Sequence, residues 1–317
     1  MARSASMTRM LGSDPYGTAP RVAGRPAALR PRRHARLAAF GWFAPVLLLL
    51  IVVTLYPTVF VIWMSFQKTK FYDLVGFVGL QNYIDVFSSP DFWETTTISL
   101  IYVGGSLAVS TAVGLGAALV MNTVGHVGRV LRVVIIFPWT LSMSVVASIW
   151  LWLLNPAFGP VAYFLGGLGI SPGLMLGDPA LALPLTIVVT SWWSFPYVMV
   201  MLTAAMQSVP QELYEAAEID GGGPLVKFRY VTLPHILPAI GSTALTLAIF
   251  YLTLVTLIIV LTGGGPIGST ATLSFRAFQG SLQAVDIAPT AVISLVVLAI
   301  NVALGAVYTR LTGRITG

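Results

Sequence analysis

The sequence predicts an all-α, polytopic membrane protein with six transmembrane helices and both termini in the cytoplasm. Mean hydropathy is +0.87, and 56% of residues are hydrophobic against only 9% charged. Soluble domains carry roughly a quarter charged residues, so a chain this apolar needs lipid as its main solvent. Apolar runs at about 37–66, 95–121, 131–154, 181–206, 239–262 and 287–309 each reach the roughly 20 residues that cross a bilayer. Their interiors hold no Asp, Glu, Lys or Arg apart from Arg132 at the start of the third run.

The first 36 residues hold eight arginines and one aspartate among prolines and small residues, which reads as a disordered basic tail. The run that follows is too long for the h-region of a signal peptide, about 7–15 residues, and reads as a retained first span. Residues 37–312 form the membrane domain and 313–317 a short C-terminal tail. Orientation follows from the basic residues. The side holding the N-terminus carries the tail arginines with Arg129, Arg132, Lys227, Arg229, Arg310 and Arg314. The other side has only Lys68, Lys70 and Arg276. The positive-inside rule therefore puts both termini and the 207–238 loop in the cytoplasm.

The second span carries Gly104, Ala108, Ala112 and Gly116 at a spacing of four, which places them on one helix face where backbones approach closely. Tight packing within the bundle is the expected use of that face; a seam with another subunit is the alternative.

Several chemistries are excluded. There is no cysteine, hence no disulfide, thiolate metal site or cysteine nucleophile. No phosphate loop occurs, and Gly263-Gly264-Gly265-Pro266 has no lysine after it. The chain is thus expected to bind neither ATP nor any other cofactor itself. No ionisable residue sits mid-membrane, which argues against a proton-coupled carrier and suits a path for neutral or polar molecules. His34, His126 and His235 are scattered, so no metal site is expected. No G-x-S-x-G or H-E-x-x-H motif supports an intramembrane hydrolase.

The polar exception is Glu215-Ala-Ala-Glu-Ile-Asp-Gly-Gly-Gly-Pro224. Ser208 and Gln211 read as caps of a helix whose first turn holds Pro210. At 100° per residue, Glu212, Glu215 and Glu218 share one face, while Leu213, Ala216, Ala217 and Asp220 occupy another. Gly221 to Gly223 stop that helix. Pro224 starts a second short helix, which Leu233-Pro234 is expected to end. Such a helix–hinge–helix element is either a docking knob for a soluble partner or an amphipathic connector on the membrane surface.

Glu215-Ala-Ala, then Asp220-Gly221, then Val231-x-Leu233-Pro234 resembles the EAA loop of binding-protein-dependent ABC importer permeases. Val209-Pro-Gln-Glu-Leu-Tyr214 fits as well. Phe77-Val-Gly-Leu-Gln-Asn-Tyr83 with Pro90-Asp-Phe-Trp93, and Leu261-Thr-Gly-Gly-Gly-Pro266 with Ser269-Thr270, resemble the carbohydrate-uptake branch, the relatives of the maltose and glycerol-phosphate permeases. The likeness covers nearly all of 37–312. It implies a permease subunit that pairs with a second permease, two ATPase subunits carrying ATP and Mg, and an extracytoplasmic solute-binding protein. The helix at 210–220 would then be the coupling helix that enters a cleft on the ATPase and drives alternating access. Glu215 would pair with a basic ATPase residue, Ala216 and Ala217 would permit close approach, and Gly221 would make the turn. The family usually has Gly-Ala after the aspartate, so three glycines imply a looser hinge. An ATP-independent carrier or channel and a membrane-embedded enzyme are the rival classes.

For the solute path, the fourth span offers Trp192, Trp193, Phe195, Pro196 and Tyr197 at mid-depth. Pro196 frees the carbonyl of Trp192 and should kink the helix, and the aromatics suit sugar stacking. Tyr251 in the fifth span and Asn301 in the sixth are further polar candidates.

Overall fold

The computed structural model describes residues 33–70, 73–123, 125–169, 175–283 and 287–313. Most of the predicted basic tail and residues 314–317 lie outside these. The chain divides into two units, Met1–Tyr56 and Pro57–Gly317. In the first, helix α1 (Arg33–Leu50) leads into a π turn, Ile51–Leu55. Helix therefore takes in the last four residues of the expected tail, 33–36.

The second unit opens with α2 (Tyr56–Met64) and an antiparallel hairpin, β1 (Gln67–Lys70) with β2 (Asp73–Phe77). Buried Asn82 clamps the hairpin's entry by donating to the carbonyls of Ser65 and Gln67, both at 2.8 Å. Then come α3 (Gln81–Ser88), α4 (Pro90–Thr123), α5 (Gly125–Thr140), α6 (Met143–Leu153), α7 (Pro160–Gly167) and α8 (Pro179–Gln207). Asp178 caps α8 by accepting from the Ala180 amide, and Pro179 fits the first turn. The chain continues through α9 (Gln211–Ile219), α10 (Pro224–Lys227), a π turn (Phe228–Thr232), α11 (Leu233–Thr253), α12 (Thr256–Leu261), α13 (Leu273–Gln283) and α14 (Ile287–Gly313). Among the described residues, five helical runs are long and apolar enough to cross a membrane, and the bent pair α5–α6 supplies a sixth if counted as one span.

That pair corrects the straight third span. Its halves meet at 97°. Pro138 lacks an amide hydrogen, and Ser142 turns extended to cap α6 through the Val145 amide. The fifth span breaks too, at Leu254, which is extended. Each break leaves carbonyls that lipid cannot satisfy. The Trp193 indole donates to Leu141 O at 3.1 Å, and the Ser274 hydroxyl donates to Leu252 O. By contrast, α8 runs unbroken through Pro184 and Pro196.

The most extensive helix pairing is α4 with α8. A Cβ built on Gly105 would lie 2.8 Å from Ile187, and one on Gly114 would lie 2.5 Å from Val198. Contacts advance together along both helices, so α4 and α8 run parallel, with Thr123 and Gln207 toward one side and Pro90 and Pro179 toward the other. The packed face of α4 is Tyr102, Ser106, Ser110, Gly114 and Ala118. Gly104, Ala108, Ala112 and Gly116 are exposed, and nothing lies within 4 Å of a Cβ built on Gly104 or Gly116. The expectation that this stripe packs inside the bundle is therefore wrong for this chain. Tyr102 and Ser110 find hydroxyl partners across this face, at Thr190 and Tyr251, while the buried Ser106 hydroxyl finds none among the described residues.

Candidate coupling loop and the polar seam

Helix α9 carries the acidic residues of the 207–238 loop. Ser208 does not cap it. Its hydroxyl bonds back to Ala205 O at 2.8 Å and closes α8, while Pro210 is the residue preceding α9. Tyr214 and Ala217 are half-buried, and Tyr214 Oη lies 3.0 Å from Thr232 Oγ1, tying α9 to the π turn. Glu212, Glu215, Ala216, Ile219 and Asp220 are exposed. The expected small-residue face is thus divided: Ala216 faces out, and Ala217 faces the returning chain.

The glycine run has a defined shape. Gly221 sits at φ +77°, and its amide donates to Glu218 O at 3.0 Å. The Gly222 amide donates to Ala217 O at 2.7 Å. Together these satisfy two end carbonyls of α9, the usual function of a left-handed helix terminus. A Cβ on Gly222 would lie 2.6 Å from Ala217 O. Gly223 has φ −69° and open space around it. Lys227 Nζ donates to Glu218 Oε2 at 2.8 Å across the bend. Its charge and hydrogen bond hold the Glu218 carboxyl below the usual carboxylate range. Two backbone bonds and an ion pair make the hinge firmer than three glycines suggest. Among the described residues, Glu215 makes no ion pair.

Leu233-Pro234 does not end the second helix. The Leu233 amide reaches back to Phe228 O in a five-residue turn, and helix continues into α11. The wider π turn accommodates a proline ring that would clash with the carbonyl four residues earlier in an α-helix. Ile51–Leu55 does the same just before Tyr56-Pro57. The loop is therefore one helical lever from Pro224 to Thr253.

Of the solute-path candidates, Trp193, Pro196 and Tyr251 are buried. Trp193 stacks on Phe250 at 5.3 Å, besides bonding Leu141. Tyr251 Oη meets Ser194 Oγ at 2.5 Å and donates to Ser110 Oγ at 3.2 Å. Tyr102 Oη lies 3.0 Å from Thr190 Oγ1, and Ser191 Oγ donates to Ser106 O at 3.3 Å. These hydroxyls form a buried polar seam joining α4, α8 and α11. Only Tyr251 of that seam was singled out from sequence, although Tyr102, Ser106 and Ser110 recur every four residues. Trp192, Phe195, Tyr197 and Asn301 remain partly exposed. Trp192 packs edge-on against Trp150, and Tyr197 lies 5.3 Å from Trp139. Asn301 Oδ1 has no hydrogen-bond partner among the described residues.

Residues 110–317 match the family described as "Binding-protein-dependent transport system inner membrane component". The chain belongs to that family. This permease is 33% identical to the trehalose/maltose transport system permease protein MalF of Thermococcus litoralis, over 78% of this chain and 84% of that one. It is 30% identical to the sulfoquinovosyl glycerol transport system permease protein SmoG of Agrobacterium fabrum, over 87% and 90% of the two chains. It is 28% identical to the sn-glycerol-3-phosphate transport system permease protein UgpA of Pectobacterium atrosepticum, over 85% and 92%. Among solved structures, a chain of a bacterial alginate ABC transporter, crystallised with an alginate pentasaccharide-bound periplasmic protein, superposes with TM-score 0.77. That pair shares 20% identity and covers 89% of this chain and 96% of the other. The permease therefore has the fold of an ABC importer permease and is a multi-pass component of the inner membrane.

Proposed function

We propose that this permease is one membrane subunit of an ATP-driven carbohydrate importer, forming half of the solute path. Its coupling element is the 207–238 loop. The observation that carries this reading is the exposed end of α9. Glu215, Ala216 and Ile219 are presented together on a short helix whose far side is pinned by Tyr214, Gly222 and the Glu218–Lys227 pair. Ile219 is 87% exposed and Leu225 77%, an apolar patch beside an unpaired carboxylate, as a protein partner would fill. The partner is the ATPase, which would supply the basic residue for Glu215 and hold ATP and Mg. Leu233 and Pro234 lie at the join where the loop becomes membrane helix. Force on α9 then passes into α11 and to the seam at Tyr251.

A second permease, a second ATPase copy and an extracytoplasmic solute-binding protein complete the assembly. The names of the sequence relatives support a sugar or sugar-like polyol as the solute. Trp192, Phe195, Tyr197 and Asn301, which remain accessible, are the better candidates for the path; Trp193, Pro196 and Tyr251 would act by shaping it. An ATP-independent carrier is not favoured, since the relatives are binding-protein-dependent permeases. Reconstituted transporter should couple hydrolysis to uptake, whereas Glu215→Ala and Gly221→Val should assemble but hydrolyse without transport. Full ATP-driven uptake by both variants would sink the proposal.

A further inference from the structure

Helices α2 and α14 do not close on each other. Two cavities lie between them, about 360 Å³ and about 220 Å³, and Val61 of α2 and Ser294 of α14 line both. The two therefore form one groove. Along α2 it runs from Met64 back to Pro57, while along α14 it runs forward from Ile287 to Leu298. That stretch of α14 is about 16 Å long at 1.5 Å per residue, close to half of the roughly 30 Å hydrocarbon core. The groove is one leaflet deep. Its walls are mostly carbon. The Ser294 hydroxyl donates to Thr290 O at 3.0 Å, and the Ser281 hydroxyl at the rim donates to Phe278 O at 2.7 Å. Both serines are thus turned inward on their own helices. Such a groove holds no water, and left empty its walls lose dispersion contacts.

The mouth of the groove is different. Strand β1 is anchored to the start of α14, where Thr69 Oγ1 accepts from the Ile287 and Ala288 amides at 3.0 and 3.1 Å. Thr69 is buried, whereas Lys68 and Lys70 are exposed. Each lysine is one residue from that anchor, about 3.8 Å along the chain. Neither makes an ion pair among the described residues, although Asp73 stands across from Lys70 in the hairpin register. Lysines at a membrane boundary lay their stems along apolar surface and hold the ammonium group in the headgroup layer. A Cβ on Gly241, near the loop end of α11, would lie 3.5 Å from Tyr308 of α14. The Tyr308 end of α14 is therefore beside the coupling loop, and its Ile287 end belongs to the opposite leaflet.

A groove one leaflet deep with two ammonium groups at its mouth has the shape and charge of one kind of molecule. A polyhydroxylated solute would find no partners between the helices. A helix from another subunit would fill the groove but leave the lysines without a use. A lipid that carries a phosphate and no cation of its own matches both parts. We infer that the groove between α2 and α14 is a binding site for an anionic phospholipid of the leaflet opposite the coupling loop. One acyl chain lies along Val61 and Ser294, and the phosphate sits against Lys68 and Lys70. The bound lipid fills the gap between the first span and the last and ties α2 to the bundle. The importer reading enters only in naming that leaflet as the outer one.

The test uses the complete transporter in detergent, with phosphatidylglycerol and phosphatidylethanolamine as probes and native mass spectrometry to count bound lipids. One phosphatidylglycerol per copy of this chain should bind more tightly than phosphatidylethanolamine does. Lys68→Ala and Lys70→Ala, both on an exposed strand face, should each weaken that binding about fivefold. Ser294→Phe fills the groove where its two halves join and should abolish it; the lysine variants keep the test decisive if this one fails to fold. A phosphatidylglycerol with a photoreactive acyl chain should label residues 57–64 and 287–298. The chain has no cysteine, so Leu298→Cys gives a single cross-linking position on this subunit at the deep end of the groove. Wild-type affinity in both lysine variants, equal binding of the two lipids, or cross-linking of Leu298→Cys to a neighbouring subunit instead of lipid labelling overturns the site. Solute uptake is not the readout, so each of those results leaves the importer reading standing.

Discussion

The three hinge glycines make a sharp prediction, because the structure gives each a different reason to be glycine. Gly221 is left-handed with open space around it, so Gly221→Ala meets no clash, only the conformational cost of about 1–2 kcal/mol for an L-residue in that region. That corresponds to roughly a 5- to 30-fold smaller share of correctly capped loop. Asparagine tolerates the left-handed region, so Gly221→Asn should recover most of the loss. Gly222 is constrained sterically, by Ala217 O at 2.6 Å from its would-be Cβ; any side chain there must move backbone. Gly223 has ordinary torsions, open surroundings and a position just before α10. Gly223→Ser should cost nothing and add about a few tenths of a kcal/mol as a helix cap. The assay is the ratio of solute imported to ATP hydrolysed in proteoliposomes, with amide exchange at the loop as the structural readout. Equal damage from Gly223→Ser and Gly221→Ala, or no recovery with Gly221→Asn, would refute this account.

Other outcomes follow from the packing. Gly114→Ala should destabilise the isolated subunit by about 1–3 kcal/mol, since its methyl would overlap Val198. Gly116→Ala, with nothing within 4 Å, should be neutral or slightly stabilising by thermal unfolding in detergent. Trp193→Phe keeps the stack on Phe250 but orphans Leu141 O, for about 1–3 kcal/mol and a looser α5–α6 bend, read as faster proteolysis there. Glu218 titrates below its usual range in the folded loop because of Lys227. The stability from that pair is present above the ordinary glutamate value and is lost as pH falls through the depressed one. Acid should therefore lower the protection of the Gly222 amide, measured against unstructured chain at the same pH, and Lys227→Met should remove that pH dependence.

The spans and the helix–glycine–helix loop were legible because both are local patterns: an apolar run in one case, a cap and stop signal in the other. The breaks at Leu141 and Leu254 were not. Each depends on a distant partner, Trp193 or Ser274, that accepts the cost of an exposed carbonyl. Helix α4 is apolar nearly all round, so periodicity could not choose between its Gly104 face and its Ser106 face. The hydroxyls at 102 and 110 could have, had their need for partners in lipid been weighed above the small size of glycine. The aromatics of α8 illustrate the converse. Their depth was readable, but whether they line a path or cap a broken helix depends on what stands opposite. The hairpin at 67–77 escaped notice because it is short and held from outside, by Asn82 on one side and by the Ile287 and Ala288 amides on Thr69.

The π turn at Phe228–Thr232 has one more consequence. A five-residue turn fits one residue more into about the space of an α turn, so residues beyond it present faces offset by about 100° from those of an uninterrupted α-helix of the same sequence. The face of α10 that carries Lys227 and the face of α11 that carries Tyr251 are therefore set relative to each other by that wide turn. Deleting one residue within 228–232 would narrow the turn to an α turn and press the Pro234 ring against the carbonyl four residues before it. The loop sequence thus encodes an angle as well as a binding surface, and its length is as specific as its charges.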